Sequence, residues 1–316
     1  MIMSERRQQV VSIGECMVEL ARDRDGRYGL GYGGDTFNTA IYLARAGVRV
    51  AYATLLGDDP YSAAILDLAR GEDVATDLIE RREGRNAGLY LIETSPAGER
   101  TFHYWRDRAP ARELFDGDSG ARVAEAMGRA DIIYLSGVTL SLYPPPALDR
   151  LAAALGRARQ QGARVAMDGN YRPRGWDRDN ARARTTFERF WRLADVALPS
   201  LEDEALLWGD DKVGSILRRL EGLGVGEIVI KCAGAPAVCS RNGQVIEVPV
   251  TRAVAALDST AAGDSFNAAY LAASLAGASQ RAAAEAGHRL AGVVIGHRGA
   301  IVPRAATARV LSDLTR

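Results

Sequence analysis

The chain has 316 residues, 47% of them hydrophobic, which suffices for one large α/β domain or two smaller ones with a sizeable core. Its 40 Lys and Arg residues balance 40 Asp and Glu residues and no basic run occurs, which excludes a general nucleic-acid or acidic-membrane surface and points to a small partner. Cys16, Cys232 and Cys239 are odd in number, lie in apolar surroundings and share no metal-ligand spacing with His103, His288 and His297, so a reducing compartment without structural zinc is expected.

The first residues hold only the short apolar run Val10–Ile13, too short for a signal-peptide core, and no segment approaches 18 apolar residues; a cytoplasmic protein is expected, with no nucleic-acid and no membrane partner. Val10–Ile13 and residues 48–55 read as strands. Between them Phe37, Ala40, Ile41 and Ala44 fall at helical spacing up to Gly47, and a second helical stretch follows at 63–68. Residues 87–93 and 100–106, rich in Tyr, Leu, Ile, Thr and Phe, flank Ser95-Pro96-Ala97-Gly98, which predicts a β-hairpin. From Ile132 strands and helices alternate: strands at 132–135, Arg164–Asp168, Val196–Leu198 and 227–231, helices from about Pro145 and at 181–192, Leu201–Trp208 and 212–223. This is the pattern of a doubly wound α/β body, with the hairpin and part of 19–32 forming a small second sheet, a lid. Ligands of such sheets bind beyond the carboxyl ends of the strands, where Asn170, Ser200 and Lys231 follow their apolar runs.

Residues 29–34, GLGYGG, satisfy the Gly-x-Gly-x-x-Gly spacing, but the preceding ARDRDGRY cannot be a buried parallel strand, so a dinucleotide-binding fold is not expected. No Gly-x-x-x-x-Gly-Lys-Ser/Thr occurs either. Gly33, Gly34, Asp35 and Asn38 stand at a helix start, where glycines admit a ligand and the polar side chains can pair with hydroxyls; a glycine turn capped by Asp35 is the plainer reading. Tyr90, Tyr104 and Arg106 share one parity on the hairpin and Trp105 the other, with aromatic packing as the alternative. Arg172 would bring a second guanidinium toward the same crevice, and two guanidiniums suit a carboxylate, unless Arg172 is merely a solvated loop residue.

Residues 258–266, DSTAAGDSF, are the most informative stretch. Phe266, Ala269, Tyr270, Ala273 and Gly277 fall at helical spacing behind three small residues, Ala261, Ala262 and Gly263. First-turn N–H groups have no intrahelical partner and carry the positive end of the helix dipole, so small residues there make an anion hole for a phosphate. Asp264 would repel that phosphate unless it takes a proton from a hydroxyl attacking it. An ordinary capped helix, with Asp264 favouring the dipole, explains the same residues.

These motifs together resemble the PfkB (ribokinase-like) carbohydrate kinases. The family's Asp-Thr-x-Gly-Ala-Gly-Asp-x-Phe is similar to residues 258–266, and its Gly-Gly with a following Asn to Gly33, Gly34 and Asn38. GGDTFNTA (33–40), GLYLIET (88–94), GERTFHYWR (98–106), NYRPRGW (170–176), STAAGDSF (259–266) and RGAIVPR (298–304) resemble, in order, the branch that phosphorylates 2-keto-3-deoxygluconate. The resemblance implies one ribokinase-like kinase domain over 1–316: a doubly wound, mostly parallel sheet flanked by helices, with a small β-sheet lid formed by about 17–32 and 86–107. It implies ATP and Mg²⁺ as cofactors, with a monovalent cation such as K⁺ as a further candidate, a sugar acid as substrate and a homo-oligomer formed through the lid. Asp264 would be the base and Ala261, Ala262 and Gly263 the anion hole. Gly33, Gly34, Asp35, Asn38, Tyr90, Tyr104, Arg106 and Arg172 would bind the sugar acid. Asn170, Arg172, Ser200, Lys231, Gly234, Ala235 and Pro236 would serve the nucleotide. The family's Asn-x-x-Glu, which organises Mg²⁺, reads Ser200-Leu201-Glu202-Asp203, so Asp203 stands in the metal-organising position, with Glu204 as the shifted alternative. The chain departs from the pattern at Ala261 and at Ala233, where glycine is usual.

Overall fold

The computed structural model describes residues 9–22, 25–94, 100–250 and 254–314, so the expected turn at Ser95-Pro96-Ala97-Gly98 lies outside the described residues. Thirteen strands form two sheets among them. They are β1 (Val10–Ile13), β2 (Met17–Arg22), β3 (Tyr28–Gly33), β4 (Val50–Gly57), β5 (Ile79–Arg82), β6 (Leu89–Thr94), β7 (Arg100–Trp105), β8 (Ile132–Ser136), β9 (Arg164–Asp168), β10 (Val196–Leu198), β11 (Glu227–Ile230), β12 (Ala237–Arg241) and β13 (Gln244–Val248).

The larger sheet has the order β13-β12-β11-β10-β9-β8-β1-β4-β5. Its seven strands from β11 to β5 are parallel, and β12 and β13 add an antiparallel pair at one edge. β1, β4, β8 and β10 are buried along their whole length, as expected of strands covered on both faces. Alternate residues feed two cores. Val10, Val50, Tyr134 and Val229 pack with the Asp35–Arg45, Ala262–Leu275 and Gln280–Val294 helices, while Val11, Leu55, Leu135 and Ile230 pack with the Pro145–Gln160, Asn180–Trp191 and Val213–Gly222 helices on the other face. Every residue from Asp264 to Ala273 is buried. The alanines of that segment let the Ala262–Leu275 helix lie between two other helices, and so fix the position of its N-terminus.

The smaller sheet, order β3-β2-β6-β7, is the expected lid, but it is four-stranded rather than a hairpin with a fragment beside it. β2 pairs parallel to β6 and antiparallel to β3. Residues 29–33 of the GLGYGG stretch are strand β3, and Gly29, Gly31 and Gly33 stand opposite Ala21, Glu19 and Met17. The glycine spacing is therefore the period of two of a strand that keeps one face low. On that face Met17, Tyr90 and Ile92 are buried with Phe102 and Tyr104 packed on them. The opposite face carries Tyr28, Leu30 and Trp105, which are 46%, 55% and 59% exposed. Among the described residues no helix is long and apolar enough to cross a membrane, and all three cysteines are free.

Candidate active site

The Ala262–Leu275 helix begins at Ala261, whose backbone is left-handed (φ 59, ψ 16) and which supplies no side-chain cap. Asp258 braces the turn before it by accepting from the Thr260 N–H at 2.8 Å and the Gly299 N–H at 2.9 Å. The Ala262 N–H, expected in the anion hole, donates instead to the Ser259 carbonyl at 3.2 Å. The N–H groups of Ala261, Gly263 and Asp264 find no hydrogen-bond partner among the described residues. Ala233, the other departure from glycine, is left-handed as well (φ 50). Both alanines thus hold a conformation that ordinarily favours glycine.

Asp264 is buried one turn into the helix, and Asn38 Nδ2 donates to its Oδ2 at 2.8 Å. Thr39 Oγ1 donates to its main-chain oxygen at 3.2 Å, which locks this turn to the Asp35–Arg45 helix. Burial pushes the Asp264 carboxyl well above the usual carboxylate range; the nearby Asp35 adds to the rise and Asn38 offsets part of it. Asp35 opens its own helix behind Gly34, where a Cβ would run into the Glu15 carbonyl oxygen. Asn170, expected near the phosphates, donates from Nδ2 to Asp35 Oδ2 at 2.6 Å. Gly33 lies beside both Tyr90 and Asn38: a Cβ there would be 3.0 Å from the Tyr90 hydroxyl and 3.6 Å from Asn38 Oδ1.

Behind the hole, Lys231 Nζ donates to Asp168 Oδ1 at 2.9 Å and Asn267 Oδ1 at 3.1 Å, and Asn267 Nδ2 donates to Asp168 Oδ2 at 2.7 Å. Lys231 follows β11 and Asp168 ends β9, so the ion pair ties strand ends to the helix carrying Asp264. A Cβ at Gly263 would lie 3.6 Å from the ammonium, which places a fixed positive charge next to the unpartnered amides. Asp168 and Asn267 carried no expected role; their signal is the placement of Asp168 at a strand's carboxyl end. Ser200 is a helix cap: its Oγ accepts the Asp203 N–H at 3.1 Å. Gly234 and Ala235 belong to an exposed loop between β11 and β12 that Pro236 completes.

The second sheet brings the remaining residues. Tyr90 and Tyr104 are cross-strand partners with ring centroids 6.0 Å apart. The Tyr90 hydroxyl donates to the buried Glu19, a partner missed in the sequence. Arg106 lies 5.8 Å and Arg174 5.7 Å from the Tyr104 ring centroid, and Arg174 Nη1 donates to the Phe102 carbonyl at 2.5 Å. Burial raises the Tyr104 hydroxyl, and Arg106, Arg172 and Arg174 counter it, so three guanidiniums converge near this phenol. Arg174, two residues beyond Arg172, was legible only as part of NYRPRGW. The two expected arginines are not bare: Arg106 pairs with Glu15, and Arg172 with Asp203 at 2.8 Å. Glu204, the alternative metal-organising residue, is buried against Arg219. Among the described residues no group of three or more His, Cys, Asp or Glu could hold a metal.

A family model described as pfkB family carbohydrate kinase matches residues 7–307. The chain belongs to this family. Among its relatives is the 2-dehydro-3-deoxygluconokinase of Escherichia coli strain K12, 39% identical over 306 residues that cover 95% of this chain and 98% of that one. The 2-dehydro-3-deoxygluconokinase of Dickeya dadantii strain 3937 is 39% identical over 303 residues, covering 94% and 97%. A crystal structure of a putative ribokinase II from E. coli in complex with ATP and Mg²⁺ shares the fold at TM-score 0.82 and 18% identity, covering 97% of this chain and 99% of that one. This pfkB kinase therefore has the ribokinase-like α/β fold expected of it.

The raised Asp264 carboxyl makes stability depend on pH. Between its ordinary and its raised value the folded protein keeps a proton that the unfolded chain has released, so stability falls as pH rises through that window. Asp264→Asn is expected to melt above the wild type by about 2 °C or more at about pH 8, with the gap closing near pH 4, as read by calorimetry across pH. At the helix start, Ala261→Gly should keep turnover, while Ala261→Val, β-branched at positive φ, should lower kcat by about 10²-fold by misaiming a donor of the hole.

Proposed function

We propose that this kinase transfers the γ-phosphoryl group of ATP to the 6-hydroxyl of 2-keto-3-deoxy-D-gluconate. The observation that carries the reading is the placement of a buried carboxyl, Asp264, beside the unpartnered amides of a helix N-terminus, with its hydrogen-bond partner Asn38 next to Gly33 and Tyr90 of the second sheet. The 39% identity to two 2-dehydro-3-deoxygluconokinases supports the substrate, and the ATP and Mg²⁺ in the ribokinase II structure support the donor.

In this reading the sugar's terminal hydroxyl lies against Asp264. Its proton passes to the carboxylate as the oxygen attacks the γ-phosphorus; the bond to the β,γ-bridging oxygen breaks and ADP leaves. A carboxyl held above its usual range is a better match to neutral pH than an exposed one, and Asn38 keeps it aimed. The amides of Ala261, Gly263 and Asp264, with Lys231 beside Gly263, stabilise the charge on the moving phosphoryl group. Asp35, Asn170 and the Gly33–Gly34 backbone hold the sugar hydroxyls, and the arginines near Tyr104 hold the carboxylate. Mg²⁺ arriving with ATP would neutralise phosphate charge, with Asp203 as the carboxylate in the metal-organising position, an arrangement that needs few protein ligands. The lid would exclude water as a competing acceptor.

A neutral sugar is the second reading, because Arg106 and Arg172 already pair with Glu15 and Asp203. Coupled ADP detection over neutral sugars and both C4 epimers of the keto acid decides between them; turnover of fructose or ribose above the keto acids would overturn the proposal. Asp264→Asn is expected to stay folded, bind ATP and lose about 10²- to 10⁴-fold in kcat. Arg106→Ala should raise KM for the keto acid by about 10-fold or more while KM for ATP stays put, and equal rises in both would remove the carboxylate assignment. The outward apolar face of the second sheet is the proposed contact with a second copy of the chain: the wild type should sediment as a dimer at micromolar concentration, and Leu30→Glu with Trp105→Arg as a monomer.

A further inference from the structure

The chain crosses between the main sheet and the second sheet four times: at 14–16 between β1 and β2, at Gly34 after β3, at 83–88 between β5 and β6, and at Arg106 after β7. Glu15 touches the other three crossings. Its main-chain oxygen closes on Gly34, its Oε1 is 2.7 Å from where a Cβ at Gly88 would lie, and its carboxylate pairs with Arg106, whose own Cβ is 3.3 Å from that same point. The Glu15 side chain is 2% exposed and that of Arg106 15%. A carboxylate taken so far out of water is costly unless a partner compensates it, and Arg106 is the cation in contact with it. Gly88 is the residue that leaves room for the pair.

We infer that Glu15 is a positioning residue for the acceptor: its carboxylate fixes the Arg106 guanidinium at the root of the second sheet, so that acid recognition and the seating of that sheet over the sugar are one event. A guanidinium has five donors, so pairing with Glu15 leaves others for a ligand's carboxylate and sets the direction in which they point. The inference rests on the keto-acid reading of Arg106.

The test is steady-state kinetics and equilibrium binding of 2-keto-3-deoxygluconate for Glu15→Gln, Arg106→Ala and the double variant, with melting temperatures measured alongside. Glu15→Gln should raise KM and Kd for the keto acid by about 10-fold, leave KM for ATP within about twofold, and add little to Arg106→Ala in the double variant. Glu15→Asp, which keeps the charge, should recover part of the loss. Gly88→Ala, which displaces the same carboxylate without removing it, should shift keto-acid KM in the same direction and serves if Glu15→Gln does not fold. Wild-type keto-acid KM in Glu15→Gln or Gly88→Ala, or full additivity with Arg106→Ala, overturns the inference. If Arg106→Ala itself leaves keto-acid KM unchanged, it is the keto-acid reading that fails.

Discussion

A carboxyl at the position of Asp264 is out of water and close to Asp35 and Asp168, and yet is the proposed base, and these demands are reconciled by the groups around it. Burial and the two acidic neighbours favour its neutral form. Asn38, the positive end of the Ala262–Leu275 helix and Lys231 favour the anion. The balance can hold only if the helix N-terminus stays where it is, and the buried alanine-rich segment behind it, gripped by two other helices and tied through Asn267 and Lys231 to the strand ends, leaves it little freedom.

The two ends of the site are built by different means. At the proposed phosphoryl end the groups sit on the carboxyl ends of parallel strands and on helix starts. At the proposed acceptor end the residues come from the second sheet: Tyr90 on β6, Tyr104 on β7, and Arg106 just beyond it, each held by a partner from elsewhere in the chain. Arg174 reaches from the body to the Phe102 carbonyl and the Tyr104 ring, so the two parts are stitched together beside the place where the acid group would sit.

Local signals carried much of this into the sequence. The small residues 261–263 and the acid after them were legible as a candidate anion hole and base because both fall in one helical turn. The parity of Tyr90 and Tyr104 follows from a strand's period of two, and the register bears it out. What the sequence did not reveal depends on distant segments meeting: Glu15 with Arg106, Glu19 with Tyr90, Asp168 with Lys231 and Asn267. The glycines of residues 29–34 match a dinucleotide-binding spacing, whereas those at 29, 31 and 33 keep one face of β3 bare. β5, with the sequence IERR, lacks the apolar run of a buried strand. Missing too from the expected strands are β12 and β13, although Asn242-Gly243 between them, both left-handed, is the strongest short hairpin signal a sequence offers.

The parallel pairing of β2 with β6 has a consequence for how the molecule assembles. It joins residues 17–22 to 89–94 across the Asp35–Arg45 and Pro60–Gly71 helices and two strands of the larger sheet. Each half of the smaller sheet is an antiparallel pair of consecutive strands, β2 with β3 and β6 with β7, and the loop that must close to unite the two pairs contains β4 and β5. By loop-closure entropy the smaller sheet is completed after that part of the body has collapsed. Transplanting acceptor preference between kinases of this architecture therefore calls for two separate stretches of chain exchanged in concert, because a single cassette would arrive without its pairing partner.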